Sequence, residues 1–218
     1  MPPKTKILLV DDHPLVREGL ANLIHQQPDL EVCGEAASEP QALQLIGTVA
    51  PDVAVVDISL ENGSGLELIK NIKSMYPAVA MLALSMHDES LYAERALRAG
   101  ARGYLMKREA ATRVIQGIRA VLDGQLFVSQ KISALMAERF VKGHGQAASP
   151  MEQLSDRELE VFELIGRGHG TRQIADELHV GFKTVQAYCA RIKEKLQLAN
   201  ATELLRAAMQ WNSEQDEK

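Results

Sequence analysis

The stretch Asp52-Val53-Ala54-Val55-Val56-Asp57 decides how this chain is read. A Val-rich apolar run without alternation, closed by acids, is the pattern of a strand buried on both faces of a parallel sheet. Asp57 then falls at the strand's carboxyl end. In an open α/β sheet ligands bind outside those ends, where strand order reverses. Taken alone, Asp57 reads equally well as a helix N-cap. A second run, Ile7-Leu8-Leu9-Val10, ends the same way, on Asp11-Asp12. Neighbouring acids repel unless a cation or a positive side chain joins them. With Asp57 they form a three-carboxylate set suited to Mg²⁺, which takes one or two carboxylates, keeps several waters and leaves a position for phosphate oxygen.

Outward from these runs, residues 4 to 123 alternate between short apolar runs and helical patterns. The strand candidates are Ile7 to Val10, Glu31 to Glu35, Val53 to Val56, Ala78 to Leu84 and Gly103 to Met106. Between them Leu15, Val16, Leu20, Leu23 and Ile24 recur at helical spacing, as do Ala42, Leu43, Leu45 and Ile46, with Ser38 and Pro40 as a helix start. Gly63 to Met75, Glu89 to Ala99 and Glu109 to Leu122 complete the helices. Such alternation implies a doubly wound parallel sheet. In the flavodoxin-like order 2-1-3-4-5 its switch point lies between the strands that end in Asp11-Asp12 and in Asp57. The fourth run ends on Ser85 and the fifth on Lys107. A Lys, a hydroxyl and three acids on one rim can form and hold an acyl phosphate: a carboxylate nucleophile, a metal on the phosphoryl oxygens and a point positive charge. Singly, Ser85 reads as a helix cap, Lys107 as a surface charge and Tyr104 as a packing residue; together at successive strand ends they do not. His13, followed by Pro14, reads as a loop residue entering the first helix. His87 has similar standing, although a place over the pocket would let it tune access for phosphodonor or water.

The 218 residues favour two domains. An apolar share of 46 % with 24 % charged residues is ordinary for a soluble globular protein. No window approaches the roughly 18 apolar residues of a membrane span, and the start Met-Pro-Pro-Lys-Thr-Lys leads into a strand, so a cytoplasmic location is expected. Cys33 and Cys189 form no metal or CxxC spacing and read as reduced core thiols. The net charge of −5 does not advertise nucleic-acid binding, which makes local charge decisive.

Past residue 123 the pattern changes. Ser129 to Val141 carries Ile132, Leu135, Met136 and Phe140, a short amphipathic helix capped by Ser129. The following Lys142-Gly143-His144-Gly145-Gln146-Ala147-Ala148-Ser149-Pro150 has almost nothing to bury and reads as linker. A second domain opens with Leu154-Ser155-Asp156-Arg157-Glu158-Leu159, where Ser155 and Glu158 are spaced as a capping box and Leu154 and Leu159 as its hydrophobic staple. That helix runs to about Ile165 and is broken by Gly166-Arg167-Gly168-His169-Gly170. A short helix from Thr171 through Ile174, Ala175 and Leu178 and a longer one from Phe182 to about Leu196 make a helix-turn-helix. Val185, Cys189, Ile192 and Leu196 lie on one stripe of the longer helix. Lys183, Gln186, Ala187, Ala190, Arg191 and Glu194 lie opposite. Lys183, Arg191, Lys193 and Lys195 against Glu194 give a local +3, a phosphate-binding footprint within an acidic chain or a solvated face. Gln186 can bond adenine and Ala187 can touch a thymine methyl.

Residues 4 to 123 resemble the receiver domain of two-component response regulators, with the Asp pair after strand one, Asp after strand three, Ser after strand four, and an aromatic and a Lys in strand five. The resemblance implies that Asp57 accepts a phosphoryl group from a sensor histidine kinase. It further implies Mg²⁺ held by Asp12, Asp57 and the main-chain carbonyl of Ser59, with Asp11 acting through water. Lys107 would pair with the phosphate, Ser85 would turn to it, and Tyr104 would swing inward. Arg108 departs from the Pro many receivers carry there; a cis bond before it would cost about 3 kcal/mol. Residues 154 to 211 resemble the LuxR-type DNA-binding domain, through Leu154-Ser155-x-Arg157-Glu158-x-Glu160-Val161, Ile174-Ala175, Lys183-Thr184-Val185 and Ile192-Lys193-Glu194-Lys195-Leu196. Gln186, Tyr188 and Gly181 stand where many members have Lys, His and Ser. The whole resembles the NarL/FixJ response regulators, implying double-stranded DNA as a ligand of Lys183, Thr184, Gln186, Ala187, Ala190, Arg191, Lys193 and Lys195, and a homodimer when active through the last helix, about Ala201 to Trp211. The expected division is a receiver over 1–123, a linker with a short helix over 124–153, a helix-turn-helix domain over 154–213 and a disordered tail over 214–218.

Two other readings compete. An aspartyl-phosphate phosphatase or transferase would need an acid two residues after the nucleophile, where this chain has Ser59. A regulator acting through protein contacts would bind DNA independently of phosphate.

Overall fold

The computed structural model describes residues 3–60, 64–87, 89–142 and 150–216. They divide into two compact units, Met1–Lys142 and Gly143–Lys218. The first holds strands β1 (Thr5–Val10), β2 (Leu30–Ala36), β3 (Val53–Asp57), β4 (Ala80–Ser85) and β5 (Gly103–Met106). With them alternate helices α1 (Pro14–His25), α2 (Glu39–Val49), α3 (Gly65–Met75), α4 (Glu89–Ala99) and α5 (Lys107–Leu122), followed by α6 (Gln130–Lys142). The sheet is parallel in the order β2-β1-β3-β4-β5, as its continuous apolar runs demand. Alternate strand residues face opposite layers. Ile7, Leu9, Val53, Val55, Leu82 and Leu84 share one core with Leu20 and Ile24 of α1 and Val114, Ile118 and Val121 of α5. β4 starts two residues later than its apolar run, because the Val79 amide donates to the Tyr76 carbonyl (3.0 Å) and closes a turn.

The chain does not leave this unit after α5. Phe127 is 7 % exposed. Its amide donates to the Arg102 carbonyl (2.9 Å) and its own carbonyl accepts from Tyr104 N–H (2.8 Å), a parallel bridge beside Gly103. Its ring lies where a Cβ on Gly117 would come within 3.0 Å of it. Ile132 of α6 is also buried, and Ser129 Oγ accepts from its amide at 3.1 Å. The compact unit therefore runs past residue 123 to Lys142. The linker residues 143–149, Gly63 at the expected start of α3, the side chain of Phe140 and the last tail residues 217–218 lie outside the described residues.

The second unit has helices α7 (Asp156–Gly166), α8 (Thr171–Glu177), α9 (Phe182–Lys195) and α10 (Ala201–Asp216), preceded by a single 3-10 turn, Pro150–Gln153. The capping box forms as spaced: Ser155 Oγ accepts from Glu158 N–H, and Glu158 Oε2 accepts from Ser155 N–H at 2.8 Å. Leu154 and Leu159 are both buried. Leu159, Phe162, Val185, Ile192, Leu204 and Ala208 are buried in the interior of the helical unit, with Trp211 tilted against Phe162 at 6.0 Å between ring centres. The turn between α8 and α9 passes through His179 at φ 49°. α10 is longer than its apolar pattern and takes residues 214–216 of the expected tail into the helix.

Candidate functional site

Each chemical side chain of the first unit stands at a strand's carboxyl end. β3 closes on Asp57, 1 % exposed, and β1 runs into Asp11, equally buried. β5 ends one residue before Lys107, which opens α5 with its side chain over the rim. Its Nζ lies 2.7 Å from Asp57 Oδ2 and 2.7 Å from Asp11 Oδ2. Among the described residues no peptide bond is cis, and Lys107 reaches the rim with Arg108 following it. Asp57 Oδ1 accepts from the Ser59 amide at 3.1 Å. His13, read as a loop residue, joins the cluster: its amide donates to Asp11 Oδ1 at 2.8 Å, and its Nδ1 is 2.7 Å from Asp12 Oδ1.

Charge crowding shows in the ionisation. Burial pushes the Asp57 carboxyl from 3.8 up to about 6 against the pull of Lys107, and Asp11 adds to the rise. Burial also disfavours the Lys107 ammonium, but Asp57 and Asp11 more than offset this and leave its pKa above the ordinary lysine value. One ligand atom from each of Asp11, Asp12, His13 and Asp57 lies within 4.8 Å of the others. Asp11 and Asp57 share the Lys107 ammonium and Asp12 stands beside His13, an excess of carboxylate over ammonium on hard oxygen donors that fits a divalent cation of the Mg²⁺ kind.

Two features escape the sequence. Gly65, the first residue of α3, packs on the nucleophile's own backbone: a Cβ there would sit 1.9 Å from the Asp57 carbonyl oxygen and 2.6 Å from Ile58 Cα. His87 ties the expected switch residues together. Its amide donates to Ser85 Oγ (2.9 Å), its carbonyl accepts from Tyr104 Oη (2.9 Å), its Nε2 meets Ser59 Oγ (2.7 Å), and its ring stacks on Tyr92. Tyr104, expected to swing inward, already lies buried at 2 % exposure.

On α9 of the second unit, Val185 and Ile192 are buried, whereas Lys183, Thr184, Gln186, Ala187, Ala190 and Arg191 are exposed. The Arg191 guanidinium lies over the Tyr188 ring at 5.9 Å. Lys193 is half-buried, and Lys195 Nζ is 2.6 Å from Glu158 Oε2. The structure brings the receiver-side candidates onto one rim and sets Lys195 apart from the exposed α9 candidates.

Residues 7–119 match the response regulator receiver domain, and residues 152–208 match the bacterial regulatory proteins of the luxR family. The chain is 36 % identical over 209 residues to the oxygen regulatory protein NreC of Staphylococcus carnosus, covering 94 % of this chain and 96 % of that one. NreC of Staphylococcus aureus strain MRSA252 is 35 % identical over the same shares. Among solved structures, a LuxR-family two-component response regulator from Aurantimonas sp. SI85-9A1 is 37 % identical, with a TM-score of 0.59 over 63 % of this chain and 99 % of that one. RcsB of Salmonella enterica serovar Typhimurium, bound to promoter P1flhDC with BeF3-, shares the fold at 24 % identity, with a TM-score of 0.66 over 94 % of this chain and 98 % of that one.

Proposed function

The chain belongs to the response regulators that join a receiver to a LuxR-type helix-turn-helix, and we propose that phosphotransfer from a sensor histidine kinase to Asp57 controls its binding to DNA and the transcription of target genes. The observation that carries this reading is Lys107 Nζ standing 2.7 Å from both Asp57 and Asp11. That is a positive charge fixed where phosphoryl oxygens would gather. In the transfer an Asp57 carboxylate oxygen forms the new P–O bond while the P–N bond of the kinase's phosphohistidine breaks, and the electron pair leaves with the imidazole. Asp12, Asp57 and the Ser59 main-chain carbonyl, with Asp11 acting through water, would hold Mg²⁺, which would supply positive charge against the phosphoryl oxygens. Lys107 stays in place and offsets the added charge.

A turn of the Ser85 hydroxyl toward a phosphoryl oxygen bears on the bond it accepts from the His87 amide, and Tyr104 Oη donates to the carbonyl of that same residue. Writing phosphate on Asp57 thus disturbs one connected set of bonds. On the DNA side, Lys183, Arg191 and Lys193 face phosphates, Gln186 and Ala187 read base edges, and Thr184 and Ala190 allow close approach. Dimerisation through α10, whose Leu205 and Met209 are exposed, sets two such helices on two half-sites. Among the described residues no helix is long and apolar enough to cross a membrane, in keeping with a cytoplasmic regulator. Turnover catalysis is disfavoured, because Ser59 stands where a phosphatase needs its second acid and bonds instead to His87. Footprinting with and without a small phosphodonor tests the reading: protection should rise with phosphodonor in the wild type and not in Asp57→Asn. Equal protection in both would overturn the control by phosphate.

A further inference from the structure

Lys195 is the residue whose surroundings depart furthest from a DNA contact. It closes α9 in sequence beside Arg191 and Lys193, yet its ammonium lies 2.6 Å from Glu158 Oε2, an oxygen whose side chain is 3 % exposed. The same oxygen accepts from Ser155 N–H at 2.8 Å and so completes the capping box at the start of α7. Burial pushes the Glu158 carboxyl up, but the hydrogen bonds from Lys195 and Ser155 bring it below its ordinary value, so it is ionised at neutral pH. A buried carboxylate must keep its cation, since breaking such a pair leaves an uncompensated charge. At 100° per residue Lys195 also lies about 120° around the helix from Lys183, toward the buried stripe of Val185 and Ile192. The local +3 read from the sequence therefore falls by one on the face that meets DNA.

We propose that Lys195 is a positioning residue and not a phosphate contact: held by Glu158 at the start of α7, it fixes the inclination at which α9 presents Lys183, Gln186 and Ala187 to the groove. The pair joins two helix ends of opposite dipole, the start of α7 and the finish of α9, each carrying the side chain its dipole favours. Lys183 lies about 18 Å along the axis from Lys195. A small tilt at the strut becomes a displacement at the reading end, where a bidentate base contact tolerates little. The inference rests on the DNA-binding reading above and can fail separately from it.

The test uses the full chain, a duplex enriched by the wild type from random-sequence DNA, and a scrambled duplex. Binding is measured across salt concentrations at a temperature where circular dichroism shows every variant folded. In Lys195→Met the ratio of specific to non-specific affinity should fall roughly tenfold, the worth of one base contact, while non-specific affinity and salt slope hold. Lys195→Arg should restore the ratio. Lys183→Gln, the control, should lower the slope by about 0.9. Should Lys195→Met fail to fold, Glu158→Gln reduces the ion pair to a neutral contact without stranding a buried charge. It predicts the same loss of ratio, with a slope no shallower than the wild type. A slope reduced in Lys195→Met as in Lys183→Gln would make Lys195 a phosphate contact and overturn the inference, as would an unchanged ratio. Absence of salt-dependent binding by the wild type would instead defeat the DNA-binding reading and the inference with it.

Discussion

Replacing Gly65 by Ala puts a methyl group where there is no room. Its Cβ would stand 1.9 Å from the Asp57 carbonyl oxygen and 2.6 Å from Ile58 Cα, against a floor of 3.0 Å for real Cβ contacts. The obstructing atoms are backbone, so no side chain can rotate aside. The start of α3 and the end of β3 must separate by 1 Å or more. Overpacking of this kind costs about 3 kcal/mol, the upper end of its usual range. For a unit the size of this receiver that corresponds to a Tm fall of about 10 °C. The same displacement moves the Asp57 carboxylate against Lys107, and a 1 Å misplacement costs on the order of 100-fold in rate. Calorimetry and timed labelling by a small phosphodonor measure the two effects. Gly19→Ala is the matched control: in mid-α1 nothing lies within 4 Å of its Cβ, and the change should stabilise by about 0.5–1 kcal/mol. If Gly65→Ala melts no lower than the wild type and labels at its rate, the packing argument is refuted.

Three further outcomes are expected. The Asp57 carboxyl is raised to about 6, so its contribution to stability is full below the unfolded value and is lost as pH rises through about 6. In metal-free buffer Asp57→Asn should therefore raise the Tm at about pH 8, with a gain that vanishes near pH 4, and Mg²⁺ should narrow the gap by stabilising the wild type alone. Phe127→Ala empties the site against Gly117 and should cost about 3–5 kcal/mol, read as a lower denaturation midpoint of the receiver. Ser155→Ala removes one half of the capping box and should cost about 1 kcal/mol, seen in the melting of the helical unit.

The parallel sheet was legible because buried strands leave uninterrupted apolar runs, and the site because each run ends in a polar residue. Asp11, Asp57, Ser85 and Lys107 needed only strand order to be brought together. Boundaries were less visible. Residues 78 and 79 are apolar but belong to a turn, and helix α10 continues through polar residues that carry no hydrophobic period. Gly65 left no trace, since a glycine demanded by close approach looks the same in sequence as one in a loop. His13 and His87 carry no signal singly in sequence, because their importance lies in which neighbours their backbone and ring reach. Charge count alone groups Lys195 with the other cations of α9; its partner Glu158 lies 37 positions away, and no local pattern announces the pair.

The parallel bridge at Phe127 also bears on where the molecule can be divided. A fragment ending after Leu122 would leave the Arg102 carbonyl and the Tyr104 amide unclaimed and bare the seam of Gly103 and Gly117. An unpaired, apolar sheet margin of that kind recruits other chains. Excision of the receiver as an autonomous piece, or its transplantation onto another effector, should therefore keep the residues through α6, and a shorter excision should yield material that self-associates.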